Sequence, residues 1–406
     1  MNNEREFKNL PEGWKWARLG EVVIENPKSP FKVEDCDNFG NFPFFTSGDN
    51  VLRHSHFLVD EENLFIATGG KAKINYFYGK ASYSADTYSL KVKDLNTKYI
   101  FYTLLKDIEI IDYKFFSGSG LKHLQKDDFK GLSIPLPPLP EQQKIAEIFE
   151  TIDNAIEKTD KIIEKYKRIK QGLMQDLLTK GIDENGNIRN EKTHKFKDSP
   201  LGKIPEEWEV VRLGEVGEII SGSTPSTYND EYWNGEIVWI TPNDLSNIEN
   251  IFIENSSRKI TQKGLKSCST KIISANSVVV SSRAPIGYVK VSKVPFATNQ
   301  GCKSIEYNGK FSPIFLAFLL SNKVQDMINM GSGTTFQEIT KSNLAKILIP
   351  LPPLPEQQRI AEILSQIDQT IEKEQQYKEK LKRIKQGLME DLLTGKVRVN
   401  QLIKEA

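Results

Sequence analysis

One stretch of this chain occurs twice, and that repetition limits the architecture more than any local pattern does. Residues 134–178 read IPLPPLPEQQKIAEIFETIDNAIEKTDKIIEKYKRIKQGLMQDLL, and residues 349–393 read IPLPPLPEQQRIAEILSQIDQTIEKEQQYKEKLKRIKQGLMEDLL, a constant offset of 215 residues. Upstream, LPEGWKWARLGEV at 10–22 returns as IPEEWEVVRLGEV at 204–216, so whole halves are duplicated. Between these anchors the likeness loosens: PFFTSGD at 43–49 answers VWITPND at 238–244, and FSGSG at 116–120 answers NMGSG at 329–333.

Behind each proline-rich opening, 38 residues run without proline, 141–178 and 356–393. As helix each would extend roughly 57 Å at 1.5 Å per residue. Ile145, Ile152, Thr159, Tyr166 and Leu173 recur every seven residues, as do Ile360, Ile367, Glu374, Leu381 and Leu388. A second apolar row is expected three residues later, at Ile148, Ala155, Ile162 and Ile169 and at Ile363, Thr370, Tyr377 and Ile384. Seven-residue spacing over such a length predicts a coiled coil. Thr159 and Glu374 interrupt the seam at equivalent mid-helix positions, which supports pairing. The long separation of the two helices and the two-fold relation of duplicated halves predict an antiparallel pair.

The globular parts read as short β-rich runs, such as LFIAT at 64–68 and SVVVSS at 277–282, broken by Gly, Asn, Ser and Asp. One helix is expected near 98–106 in the first half and over 313–330 in the second, where Ser312-Pro313 supplies a cap and a first turn. The fold class is α+β: two pseudo-symmetric α/β domains joined by two long antiparallel coiled-coil helices. The division expected is a domain at 1–140, a helix at 141–180, a polar linker at 181–203, a domain at 204–355, a helix at 356–394 and a tail at 395–406. The arm before Trp14 and the tail after Thr394 stand where the linker stands between the halves, so the two ends of the chain are expected to meet.

Several function classes fall away. Cys36, Cys268 and Cys302 are scattered, and His54 with His56 lacks a third ligand, so neither disulfide framework nor metal site is indicated. There is no P-loop, and the Pro-Pro pairs follow Leu, not the Asn or Asp of an amino-methyltransferase motif. A catalytic site and a cofactor are therefore not expected. No apolar run reaches 18 residues and the opening MNNEREFKNL is too polar for a signal peptide, which predicts a cytoplasmic protein without a membrane partner. Net charge is +1, and each globular part is nearly balanced (18 basic and 19 acidic residues in 1–140, 16 and 15 in 196–355), so a nucleic-acid surface would be a local patch.

What remains is recognition by two different heads. The paired PLPPLPEQQKIAEI and PLPPLPEQQRIAEI, the Gly-Ser-Gly turns before them, and the W-x-x-x-RLGEV segments at Trp14 and Trp208 resemble the specificity subunit of type I restriction-modification systems over essentially the whole chain. That resemblance implies two target-recognition domains, each reading half of a bipartite site on double-stranded DNA, with the helices as spacer. It also implies two modification (methyltransferase) subunits bound to the repeated regions, and restriction (translocase/endonuclease) subunits recruited to the complex. A structural coiled-coil adaptor joining proteins without DNA specificity is the competing reading.

Candidate DNA contacts lie on polar loops that differ between the copies. In the first head these are Lys71, Lys73, Ser119, Lys122 and His123; in the second, Asn243, Arg283, Asn299, Lys303, Thr334, Thr335 and Gln337. The repeated KRIKQGLM at 167–174 and 382–389 places Gly172 and Gly387 inside a helix at a cost of roughly 1 kcal/mol each. Close approach by a partner would offset it, which makes Arg168, Gly172, Arg383 and Gly387 candidate docking residues.

Overall fold

The computed structural model describes residues 10–37, 39–331 and 337–404. The chain divides into two compact units, Met1–Asp160 with Gln376–Ala406 and Lys161–Gln375. The long helices run Leu139–Leu177 and Leu354–Leu392, so each unit holds the first part of one and the last part of the other.

In the first unit a six-stranded sheet has the order 23–25, 87–92, 59–67, 74–83, 42–45, 52–54. In the second a five-stranded sheet has the order 219–221, 302–305, 278–281, 289–292, 252–253, and a separate three-stranded sheet is built around Trp233–Ile240. The four strands 23–25, 87–92, 59–67 and 74–83 answer 219–221, 302–305, 278–281 and 289–292 in order and antiparallel pairing, which is the shared core of the heads.

Helices Thr97–Lys106 and Pro313–Asn322 lie where a helix is expected. Each is followed by a second, Ile108–Phe115 and Val324–Asn329, so the single helix expected over 313–330 is broken at Lys323. PIFLAFLL is apolar all round because it is covered on all sides: Phe315 to Leu320 are all buried, in one core with Trp208, Phe311, Val278 and Ile360.

The repeated motifs meet at a joint. Lys15–Arg18 pairs antiparallel with Ser133–Leu136, and Glu209–Arg212 with Leu348–Leu351. These are two-stranded ribbons, where a proline such as Pro135 or Pro350 costs no interior ladder bond. The Trp14 indole donates to Glu141 (3.1 Å), which also accepts from Arg398 (2.7 Å); the Trp208 indole donates to Glu356 (3.1 Å), which accepts from Arg189 (2.5 Å). Gln142 accepts from the N–H of Asn96 and Gln357 from that of Ser312, and those two residues cap the head helices. Gly181 (φ +64°) and Gly395 (φ +74°) close the long helices in left-handed geometry, packed so tightly that a Cβ would fall 2.4 Å from Trp208 or 2.5 Å from Pro11. In the first unit, Arg398 also reaches the carbonyl of Glu12 (2.7 Å), so segments near the two ends of the chain meet.

Each unit packs its two helix segments antiparallel. Ile145, Ile148 and Phe149 share a core with Leu388, Met389 and Leu392, and Leu173, Met174 and Leu177 share one with Ile360, Ala361 and Leu364. Asp153 pairs with Lys385 in the first unit, and their counterparts 215 residues on and back, Asp368 and Lys170, pair in the second, each at 2.5 Å. Ile145, Thr159, Ile360 and Leu381 are buried; Ile152, Tyr166, Leu173, Ile367, Glu374 and Leu388 are partly buried. The second row is only half where it is expected: Ile148, Ala155, Ile363 and Thr370 are partly buried, but Ile162, Ile169, Tyr377 and Ile384 are exposed, while Phe149, Ile163, Leu177, Leu364, Ile371 and Leu392, four residues after the seam, are buried. Three residues on is about 60° short of a full turn and four about 40° past it. Both rows carry apolar residues, and packing against the partner helix selects between them; Lys170, Lys378 and Lys385 on the four-residue row make ion pairs. Among the described residues no helix is long and apolar enough to cross a membrane.

Candidate nucleic-acid interface

In the first head Lys71 stands at the tip between antiparallel strands Val59–Ala67 and Ile74–Tyr83. The loop after helix Ile108–Phe115 folds against that tip, with the N–H of Gly70 donating to Lys122 O (2.9 Å) and that of Leu124 to Thr68 O (2.9 Å). This brings Lys71, Ser119, Lys122 and His123 together, all exposed. Asp112 lies among them: it accepts from the N–H of Ala72 (2.6 Å) and pairs with Lys122 (3.4 Å). The Ala72 bond foremost, then the nearby Lys122 and Lys71, hold its carboxyl below the usual range. Lys73 is engaged differently, its ammonium tying down the carbonyls of Gly48 (2.7 Å) and Asp49 (2.6 Å).

In the second head Arg283 occupies the equivalent tip, between Val278–Ser281 and Val289–Ser292, and pairs with Glu338 (3.6 Å). Asn243 is exposed in the first turn of helix Pro242–Ser246, and Asn299 shapes the neighbouring turn by accepting from the N–H of Gly301 (3.0 Å). Gln337 is exposed and donates to Ile328 O (3.1 Å). Lys303 is a correction. Expected at the surface, it is buried, its ammonium taken up by Gln300 O (2.9 Å), Ser282 Oγ (3.3 Å) and Glu338 (3.3 Å), so it braces the site from beneath. Thr334 and Thr335 lie outside the described residues.

Residues 222–229, 240–243, 282–283 and 298–301 are stitched to one another. Ser223 N–H donates to Thr298 O (3.0 Å), Asn299 N–H to Ile240 O (3.1 Å), Ser282 N–H to Gly301 O (2.8 Å), and Thr224 Oγ1 to Gln300 Oε1 (2.5 Å). The first head thus offers lysine, histidine and hydroxyl donors and the second arginine and amide donors, each on a braced loop cluster, the chemistry that contacts phosphates and base edges.

Arg168, Gly172, Arg383 and Gly387 are exposed on the long helices, and among the described residues no neighbouring atom outside the local helix backbone lies within 4 Å of a Cβ built on either glycine, so none approaches closely enough to require glycine there.

A family profile described as the type I restriction modification DNA specificity domain matches residues 11–167 and again 205–383. The chain belongs to that family. The double match decides against a coiled-coil adaptor without DNA specificity. Among specificity subunits, the MjaVIII protein of Methanocaldococcus jannaschii is 30% identical over 98% of this chain and 97% of its own length. The MjaIX protein of the same organism is 41% identical over 47% of this chain and 44% of its own. The crystal structure of a type I restriction-modification S subunit from M. genitalium matches the fold with a TM-score of 0.65 at 16% identity, covering 97% of each chain. The joint explains the recurring family signature in this chain: Pro-Glu-Gln-Gln supplies the carboxylate and amide that fasten each head to its helix.

Sequence reasoning missed Asp112 and Glu338, which hold the basic groups of the two tips in place.

Proposed function

We propose that the chain is the sequence-reading, non-catalytic subunit of a type I restriction-modification enzyme. The first head reads one half of an asymmetric bipartite site on double-stranded DNA and the second head the other. The helices set the unread gap and dock two modification (methyltransferase) subunits; restriction subunits join the assembled complex. The observation that carries DNA contact is the gathering of Lys71, Lys122 and His123 on one braced cluster in the first head and of Arg283, Asn243 and Asn299 in the second. Docking is supported by the exposed stripes Ile162, Ile169, Gly172 and Tyr377, Ile384, Gly387, which are apolar rows with a glycine gap that no side chain among the described residues covers.

The test is DNA binding by the chain with its modification subunit across a salt series. Cognate DNA should be preferred, with affinity falling as salt rises; Lys71→Ala and Lys122→Ala should each weaken all sequences alike and lower the salt slope by about 1. Equal binding to every sequence would refute the reading.

A further inference from the structure

Two indoles in the second head form a bracket. Trp233 and Trp239 are both buried and meet edge to face, ring centroids 5.1 Å apart and planes at 82°. Their N–H groups hold one loop, Trp233 donating to Ser226 O (3.0 Å) and Trp239 to Ser223 O (3.1 Å). That loop carries Tyr228, which is fully exposed. A second loop is fastened from the other side. Ser257 donates through its N–H (2.8 Å) and its hydroxyl (2.7 Å) to the buried carboxylate of Asp244, and Ser256 Oγ accepts from the backbone N–H of Trp239 (2.9 Å) while donating to Arg258 O (2.6 Å).

The residue these bonds deliver is Arg258. It is exposed, and its guanidinium carbon lies 3.5 Å from the centre of the Trp233 ring and 6.0 Å from that of Trp239. No acceptor among the described residues takes up its side-chain N–H donors. Two other basic groups of the head are engaged: Arg283 faces Glu338 and Lys303 is buried on it. A guanidinium stacked on an indole has its plane fixed and its edge free, so little side-chain freedom is lost when it makes a two-pronged contact. A phosphate, with oxygens pointing in several directions, accepts a guanidinium fork in many planes. A guanine edge, with N7 and O6 side by side, needs the plane. The same Asp244 carboxylate also ties down Thr241 at the start of the helix that presents Asn243, so Arg258 and Asn243 are held to one support.

We propose that Arg258 is a specificity-determining residue that reads a guanine in the half-site of the second head, with Trp233 and Trp239 as positioning residues. This rests on the DNA-reading function proposed above. The experiment uses the full chain with its modification subunit and a library of DNA targets randomised at both half-sites, for the unaltered protein, Arg258→Lys and Arg258→Ala. Thermal unfolding of each variant registers any loss of folding. The expected result is relaxed preference at a single G·C pair in one half-site, by roughly ten- to hundredfold, with the other half-site, the gap and the salt slope unchanged. Lysine should not rescue it, because the charge remains but the fork is gone. Uniform weakening with a salt slope lowered by about 1 would make Arg258 a phosphate contact and overturn the proposal. Unchanged preference in both variants would leave only a cap on Trp233, and also overturn it. If the unaltered protein showed no preference, DNA reading itself would fail, a result separate from either variant outcome.

Discussion

The carboxylate of Glu356 is nearly sealed from water and satisfies an indole, a guanidinium and the N–H of Ile182 together. Removing it strands the arginine at 11% exposure, so Glu356→Ala should lower stability by roughly 3–5 kcal/mol. Glu141→Ala should cost less, because Arg398, at 27% exposure, can turn to water. Urea unfolding of the two variants side by side checks the order. Asp112 offers a pH test. Its carboxyl titrates below the usual range, so the bond to Ala72 N–H is complete at neutral pH and is lost only as pH falls through that depressed value. The Ala72 amide resonance should follow this titration below pH about 3.9, and Asp112→Asn should abolish it. Neither group is legible in the sequence: Trp14 and Glu141 are 127 residues apart, and a lysine such as Lys303 looks the same in one dimension whether exposed or buried.

At the level of elements, the duplication fixes two heads and two helices, because each repeated motif is one side of a joint and must find the other. The short strands of the heads are less legible: 42–45 and 233–240 occupy related places yet join different sheets. The side of each long helix facing its partner is hidden in the sequence because apolar residues stand both three and four residues after the seam. The exposed row yields a prediction. With no atom within 4 Å of a built Cβ, Gly172→Ala and Gly387→Ala should each stabilise the isolated chain by up to about 1 kcal/mol. Each should weaken capture of the modification subunit, which titration calorimetry would register; tighter or equal capture would remove the docking role. Deleting one matched heptad from both helices should shorten the spacer by roughly 10 Å and the unread gap by about three base pairs. An unchanged gap in the methylated sequence would show that the helices do not set it.

For the whole molecule, the central claim is that two duplicated heads read separately and in inverted orientation, as paired half-sites are read by symmetric dimers. Each head has one such joint, where its two ends meet: Trp14 and Glu141 bound the first and Trp208 and Glu356 the second. A head can therefore be exchanged at those boundaries without disturbing the fastening. The most direct measurement is methylome sequencing of a host whose specificity chain carries a copy of the first head in place of residues 208–349. The account predicts that one half of the target is retained, the other is replaced by its inverted copy, and the site becomes a gapped palindrome. A direct repeat would contradict the antiparallel arrangement, and a change in both halves at once would contradict two independent heads.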